Sequence, residues 1–199
     1  MQIGLILFDG FDNLDAIAPF EVFNHAQTTG ANLTVGLYTL DAQHVVSSNH
    51  GLSIVPDGEL ESVDHDIVIV PGGGWSSGAN EGIRAQIERG DLTDTLARLH
   101  DEGVILASVC TGGMALAAAN ILRGRPAVTH HSALDDLAAA GAEVIDTRVV
   151  DDGEVLTAGG ITAGIDLALH LLDREFSEPM GDRVARAMEY ERQDDVHLV

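Results

Sequence analysis

One stretch constrains this chain more than any other. An apolar run, Val104-Ile105-Leu106-Ala107, enters it and an Ala-rich run, Met114 to Ala119, leaves it. Between them lie Ser108-Val109-Cys110-Thr111-Gly112-Gly113, with the only cysteine of the chain. A short apolar run followed by helix formers predicts strand, sharp turn, helix, with Cys110 at the turn. Small residues two before the cysteine (Ser108) and two after (Gly112) let the backbone bend tightly enough to lift a side chain above a sheet. That is the small-x-nucleophile-x-small logic of a nucleophile elbow. A helix starting just past Cys110 predicts a lowered thiol pKa and a reactive thiolate at neutral pH, because its unpaired N–H groups and dipole favour negative charge. The competing reading is a buried structural cysteine; the flanking pattern favours the reactive thiol.

The rest of the chain supplies the sheet around that elbow. Ile3 to Phe8 and Ile67 to Val70 are continuous apolar runs, the mark of strands buried on both faces. Leu33 to Leu40, Ala127 to Thr129, Val144-Ile145, Arg148 to Val150 and Glu154 to Thr157 read as further strands, the last two joined at Asp152-Gly153. Val45-Val46 and Leu52 to Val55 read as a small hairpin. Helices are expected over Leu14 to Ala26, Glu81 to Glu88, Thr93 to Glu102, Ser132 to Ala139, Ile161 to Leu172 and from Pro179 to about Glu191. Asp12 or Asn13 would cap the first, Pro19 would kink or restart it, and Ser132 would cap the helix that it opens. Gln193 to Val199 reads as a frayed tail. Strands alternating with helices predict an α/β fold, a mainly parallel sheet with helices on both faces, in one domain over residues 1–199.

Charge narrows the function classes. The formal net charge is −22, and all ten basic residues are arginine. The carboxylates are spread along the chain rather than gathered in a tail, so the surface itself is acidic. This argues against nucleic-acid binding, which needs a basic footprint, and fits a protein whose self-repulsion is screened by high salt, as in a halophile. A single cysteine leaves no intrachain disulfide and no cysteine-based zinc cluster. The N-terminus lacks the basic segment of a signal peptide, and no apolar run is long enough to span a bilayer, so a cytoplasmic protein away from membranes is expected.

In sheets of this kind sites lie at the carboxyl ends of strands. Asp15, Gly72-Gly73, Cys110 and His130 all follow such ends. Cys110 is the candidate nucleophile. Asp15, kept protonated by burial and by a bond to sulfur, is a proton shuttle, or else a helix N-terminal acid held by the dipole. The backbone N–H groups of Gly73 and Thr111 could stabilise negative charge on a substrate, although the run Pro71-Gly72-Gly73-Gly74 could also be only a tight turn. The Thr111 hydroxyl could orient water but is favoured as a helix cap. Of His130 and His131, adjacent at a strand end, one should face the site and one away.

Together these residues resemble the DJ-1/PfpI superfamily. The matching pieces are Phe8-Asp9-Gly10, Leu14 to Phe23, Pro71 to Gly74, Cys110-Thr111-Gly112, Arg123 to His130 and Ala158 to His170, in the family's order over nearly the whole chain. The resemblance implies a flavodoxin-like three-layer sandwich, usually a homodimer, with no cofactor. It implies that the acidic residue four before Pro19, Asp15, touches the cysteine, and that the histidine twenty after the cysteine, His130, belongs to the site. His131 stands where close relatives usually carry tryptophan. Asp at 15 and Thr at 111 are similar to the isonitrile hydratase pattern. That pattern implies attack of Cys110 on the terminal carbon of a small isonitrile, protonation by Asp15 and help from Thr111. The alternatives are a glyoxalase or deglycase, which prefers Glu where Asp15 stands, a PfpI-type peptidase, whose elbow pairs Cys with a His where Thr111 stands here, and a non-catalytic thiol sensor of oxidants or electrophiles. The sensor domains of AraC-type regulators share the pattern, but a regulator needs a DNA-binding helical domain that this acidic chain is not expected to supply.

Overall fold

In a computed structural model, which describes residues 1–76, 80–176 and 179–199, the continuous apolar runs become the middle of one sheet. The chain runs β1 (Gln2–Ile6), α1 (Asn13–Thr28), β2 (Thr34–Thr39), the hairpin β3 (Val46–Ser47) and β4 (Ser53–Ile54), β5 (Gly58–Glu59) and β6 (Ile67–Val70). It continues through α2 (Ile83–Arg89), α3 (Asp91–Asp101), β7 (Ile105–Val109), α4 (Gly113–Ala118), β8 (Pro126–Ala127), α5 (Leu134–Ala139) and β9 (Glu143–Val144). It ends with β10 (Val149–Asp151), β11 (Val155–Ala158), α6 (Ala163–Glu175), α7 (Met180–Ala187) and β12 (Val196–Leu198).

The main sheet has the order β12-β10-β11-β7-β6-β1-β2-β5. Every pairing is parallel except β10 with β11, the hairpin that turns at Asp152-Gly153. Helices α1, α6 and α7 pack on one another, as do α2, α3 and α4. The result is the expected flavodoxin-like sandwich. All four residues of β6 are buried, as strands covered on both faces require. In α3 the apolar side chains Leu92, Leu96 and Leu99 are the buried ones, spaced to fall on one helix face. Among the described residues no helix is long and apolar enough to cross a membrane.

Three local expectations change. Helix α1 does not restart at Pro19 but is one element of sixteen residues. The buried proline packs close to Gly164 of α6, so tertiary packing holds the helix across its missing N–H. The tail is not frayed: β12 pairs with β10, the Gln193 N–H donates to Asp166 Oδ1 (3.0 Å) and the Arg148 N–H to Asp195 Oδ2 (3.0 Å). Finally, β8 pairs only with β9, in a separate two-stranded sheet, so His130 does not follow a strand of the main sheet.

Candidate active site

Four neighbouring strands of the main sheet, β11, β7, β6 and β1, send their carboxyl ends to one place. Cys110 follows β7 with φ +57°, a left-handed backbone that non-glycine residues adopt only where the surroundings impose it. The surroundings here are specific. The Cys110 N–H donates to the Gly159 carbonyl at 2.8 Å, and its own carbonyl accepts the Thr129 hydroxyl at 2.7 Å. A Cβ at Gly112 would overlap the Val70 carbonyl, which is why the elbow needs a residue without a side chain there.

Asp15 lies in the first turn of α1 and is fully buried. Its Oδ2 accepts the Gly72 N–H at 2.9 Å, its Oδ1 is buried with no hydrogen bond of regular geometry, and the Cys110 side chain is its hydrogen-bonding neighbour. The sulfur also faces the backbone N–H groups of Ile161 and Thr111. The expected contact between carboxyl and sulfur is therefore present.

The surroundings work against the expected thiolate. Burial, followed by the charge of Asp15, pushes the Cys110 thiol up to about 12, against the two N–H groups. Burial, followed by the Asp12 carboxylate, pushes the Asp15 carboxyl up to about 8, against the Gly72 N–H and the thiol. Burial thus favours the neutral form of each partner, thiol and carboxylic acid. The dipole argument fails for a physical reason: Cys110 opens a single 3-10 turn ahead of a helix of only six residues. So short a helix does not offset the desolvation of a cysteine that is 6% exposed.

Thr111 does not cap the helix. Its hydroxyl accepts the Gly73 N–H at 3.1 Å. The Gly72 and Gly73 N–H groups thus hold Asp15 and Thr111, whereas the sequence offered the Gly73 N–H to a substrate. A Cβ at Gly72 would overlap the Thr111 hydroxyl and backbone nitrogen, so that glycine serves the close approach of two loops.

His130 and His131 do not diverge. Their rings pack together, centroids 4.1 Å apart, because the strand ends before them and the backbone enters a 3-10 turn. The His130 imidazole, not Ser132, caps that turn by accepting the Ser132 N–H at 3.3 Å. Its ring lies over Gly160, one residue from Ile161. Burial, then the charge of His131, hold His130 below the ordinary histidine range, with Asp12 acting the other way. The structure also adds a part that sequence reasoning had placed only at a helix start: the loop Gly159-Gly160-Ile161. Its signal was the glycine pair at the end of an apolar strand. Ile161 sits at φ +20°, strained for a β-branched residue, with its N–H on the sulfur. Among the described residues no group of three or more His, Cys, Asp or Glu stands together to hold a metal ion.

A model of the DJ-1/PfpI family matches residues 1–174. This chain belongs to the DJ-1/PfpI family. Within it, the chain is 34% identical over 191 residues to the isonitrile hydratase of Pseudomonas putida, covering 96% of this chain and 78% of that protein. It is 32% identical over 198 residues to the HTH-type transcriptional regulator GbdR of Pseudomonas aeruginosa, covering 96% of this chain and 51% of the regulator. The chain thus spans about half the length of that regulator. Among solved structures, a ThiJ/PfpI protein of Pseudomonas syringae superposes with a TM-score of 0.81 at 26% identity, covering 96% of this chain and 76% of that one. The relatives this chain resembles in sequence therefore include an enzyme and a regulator.

Proposed function

We propose that the protein is a cysteine-dependent hydratase that converts small isonitriles to N-substituted formamides. The observation that carries this reading is a buried thiol beside a fully buried carboxyl, whose burial favours the protonated acid. The terminal isonitrile carbon takes up a proton as sulfur adds to it, and a general acid must be protonated at working pH to supply it. The similarity to an isonitrile hydratase supports the choice of substrate class.

Asp15 gives its proton to the isonitrile carbon while its other oxygen takes the thiol proton, and the sulfur bonds to that carbon. The product is a thioimidate, S–CH=N–R. Water then adds to the same carbon, with Asp15 passing a proton to nitrogen. The C–S bond breaks, sulfur recovers a proton, and HC(=O)–NH–R leaves. Asp15 exchanges protons at two oxygens, and its unpartnered Oδ1 leaves one of them uncommitted. Gly72 and Thr111 hold the geometry. The N–H groups of Ile161 and Thr111 aimed at sulfur stabilise it whenever the C–S bond breaks.

The test is a panel in molar salt: cyclohexyl isonitrile, methylglyoxal and peptide substrates. The expected result is formamide production, abolished in Cys110→Ala and Asp15→Asn. Methylglyoxal consumption without isonitrile turnover would move the reading to the glyoxalase and deglycase branch, peptide cleavage alone to a peptidase, and turnover of none of the three would leave a thiol sensor. We also read the active form as a homodimer. Leu14, Val45, Leu52 and Val55, between 41% and 73% exposed, offer apolar surface at the start of α1 and around the β3–β4 hairpin; a monomer in high-salt sedimentation would refute this.

A further inference from the structure

Asp12 takes no part in the proposed bond-making steps. It is 8% exposed and forms the N-cap of α1, its Oδ1 accepting the Leu14 N–H at 3.2 Å. Its Oδ2 meets Asn49 Nδ2 at 3.4 Å and His50 Nε2 at 3.3 Å. Its backbone N–H donates to the Gly72 carbonyl at 2.9 Å, while the Gly72 N–H donates to Asp15. One residue, Gly72, therefore fixes both aspartates. The hairpin tip is fastened above them by three more bonds. Gly10 N–H donates to the Ser47 carbonyl, Ser47 N–H to Asp9 Oδ1, and Asn49 N–H to the Phe11 carbonyl, each within 2.9 Å.

A cap does not require this charge. Serine, threonine or asparagine accepts the same N–H. A carboxylate one turn before a buried Asp15 repels any negative charge that forms there. The charge itself is therefore the feature to explain.

We propose that Asp12 is a positioning residue for the Cys110–Asp15 pair: its carboxylate, held by the tip of the β3–β4 hairpin, keeps the transferable proton on Asp15. The inference rests on the reading of Asp15 as proton donor. The groups facing Asp12 are His50 and the Asn49 amide from the hairpin, His130 from the segment before α5, and Asp15 from its own helix. Those facing Asp15 are Asp12, the Cys110 thiol and the Gly72 N–H. Of these, only Asp12 brings a second negative charge to Asp15 without taking part in the chemistry.

The test is a carboxyl-carbon NMR titration of protein labelled at aspartate, with the Asp15 signal assigned by its loss in Asp15→Asn. Asp12→Asn keeps an N-cap and removes the charge, and Asp12→Ser does the same with a smaller group. The Asp15 midpoint should fall by about one pH unit in either variant, and the alkaline limb of kcat/KM for isonitrile hydration should move with it. A midpoint that stays put or rises overturns the proposal. The titration needs no turnover. A midpoint that falls in a protein inactive on isonitriles keeps the Asp12 role and removes the hydratase, whereas turnover with an unmoved midpoint does the reverse. Should Asp12→Asn fail to fold, Asp12→Ser decides the matter.

Discussion

Replacing Asp15 by asparagine should make this protein more stable, by an amount that grows with pH. In the unfolded chain the carboxyl ionises at its ordinary value of 3.8, and in the fold it holds its proton up to about 8. The native state therefore binds the proton more tightly, and the stability from this group is fully present below the unfolded value. It is lost at about 1.4 kcal/mol per pH unit as pH rises, levelling off above the folded value. Against an uncharged isostere the deficit is about 2 kcal/mol at pH 5, about 4 at pH 7 and about 6 at pH 9. Asparagine keeps an oxygen for the Gly72 N–H and turns an amide donor toward sulfur, so few other contacts change. Urea unfolding of wild type and Asp15→Asn at those three pH values, at constant molar salt, reads the difference directly. A gain that does not vary with pH, or a loss that is largest at alkaline pH, would refute a carboxyl kept protonated by burial. It would also remove the acid from the proposed mechanism.

Other perturbations probe the rest of the structure. Cys110 should react with iodoacetamide at pH 7 about a thousandfold more slowly than an ordinary cysteine, and faster as pH rises, because its thiol ionises near 12 rather than 9; a rate independent of pH between 6 and 9 would mean a resting thiolate. Gly72→Ala forces a Cβ into Thr111 and should cost about 3 kcal/mol and most of the activity, measurable by denaturation and turnover. Asp151 meets His170 Nε2 at 2.8 Å and Arg174 Nη1 at 3.1 Å. Burial would raise its carboxyl, but the bonds from His170 and the Gly153 N–H, with the Arg174 charge, outweigh it and hold the carboxyl below the ordinary range. Its contribution is present above the unfolded value and is lost as pH falls through the folded one, so Asp151→Asn should destabilise at pH 7 by about 3 kcal/mol, and by progressively less as pH falls below the ordinary carboxyl value. The net charge of −22 predicts a melting temperature that falls steeply from molar salt to about 0.1 M; a flat profile would refute salt-dependent folding.

The sequence by itself determined the central strands of the main sheet and the elbow. Apolar runs such as Ile67 to Val70 can be satisfied only by burial on both faces, and the small residues around Cys110 allow one backbone path, so strand, bend and nucleophile position follow from local chemistry. The pairing of Asp15 with Cys110 was legible through the resemblance, since these residues are far apart in the chain. Only the tertiary structure decided the charge of that pair. Ionisation depends on how much water is removed and on which groups face the sulfur, and neither the dipole at an elbow nor residue spacing reports desolvation. The same limit explains Thr111, which accepts a bond from Gly73 rather than capping a helix. It explains His130, whose supposed strand belongs to a separate small sheet. It explains Ile161, whose N–H reaches the sulfur because β11 lies beside β7, an adjacency created by the fold between residues that are not neighbours in the chain.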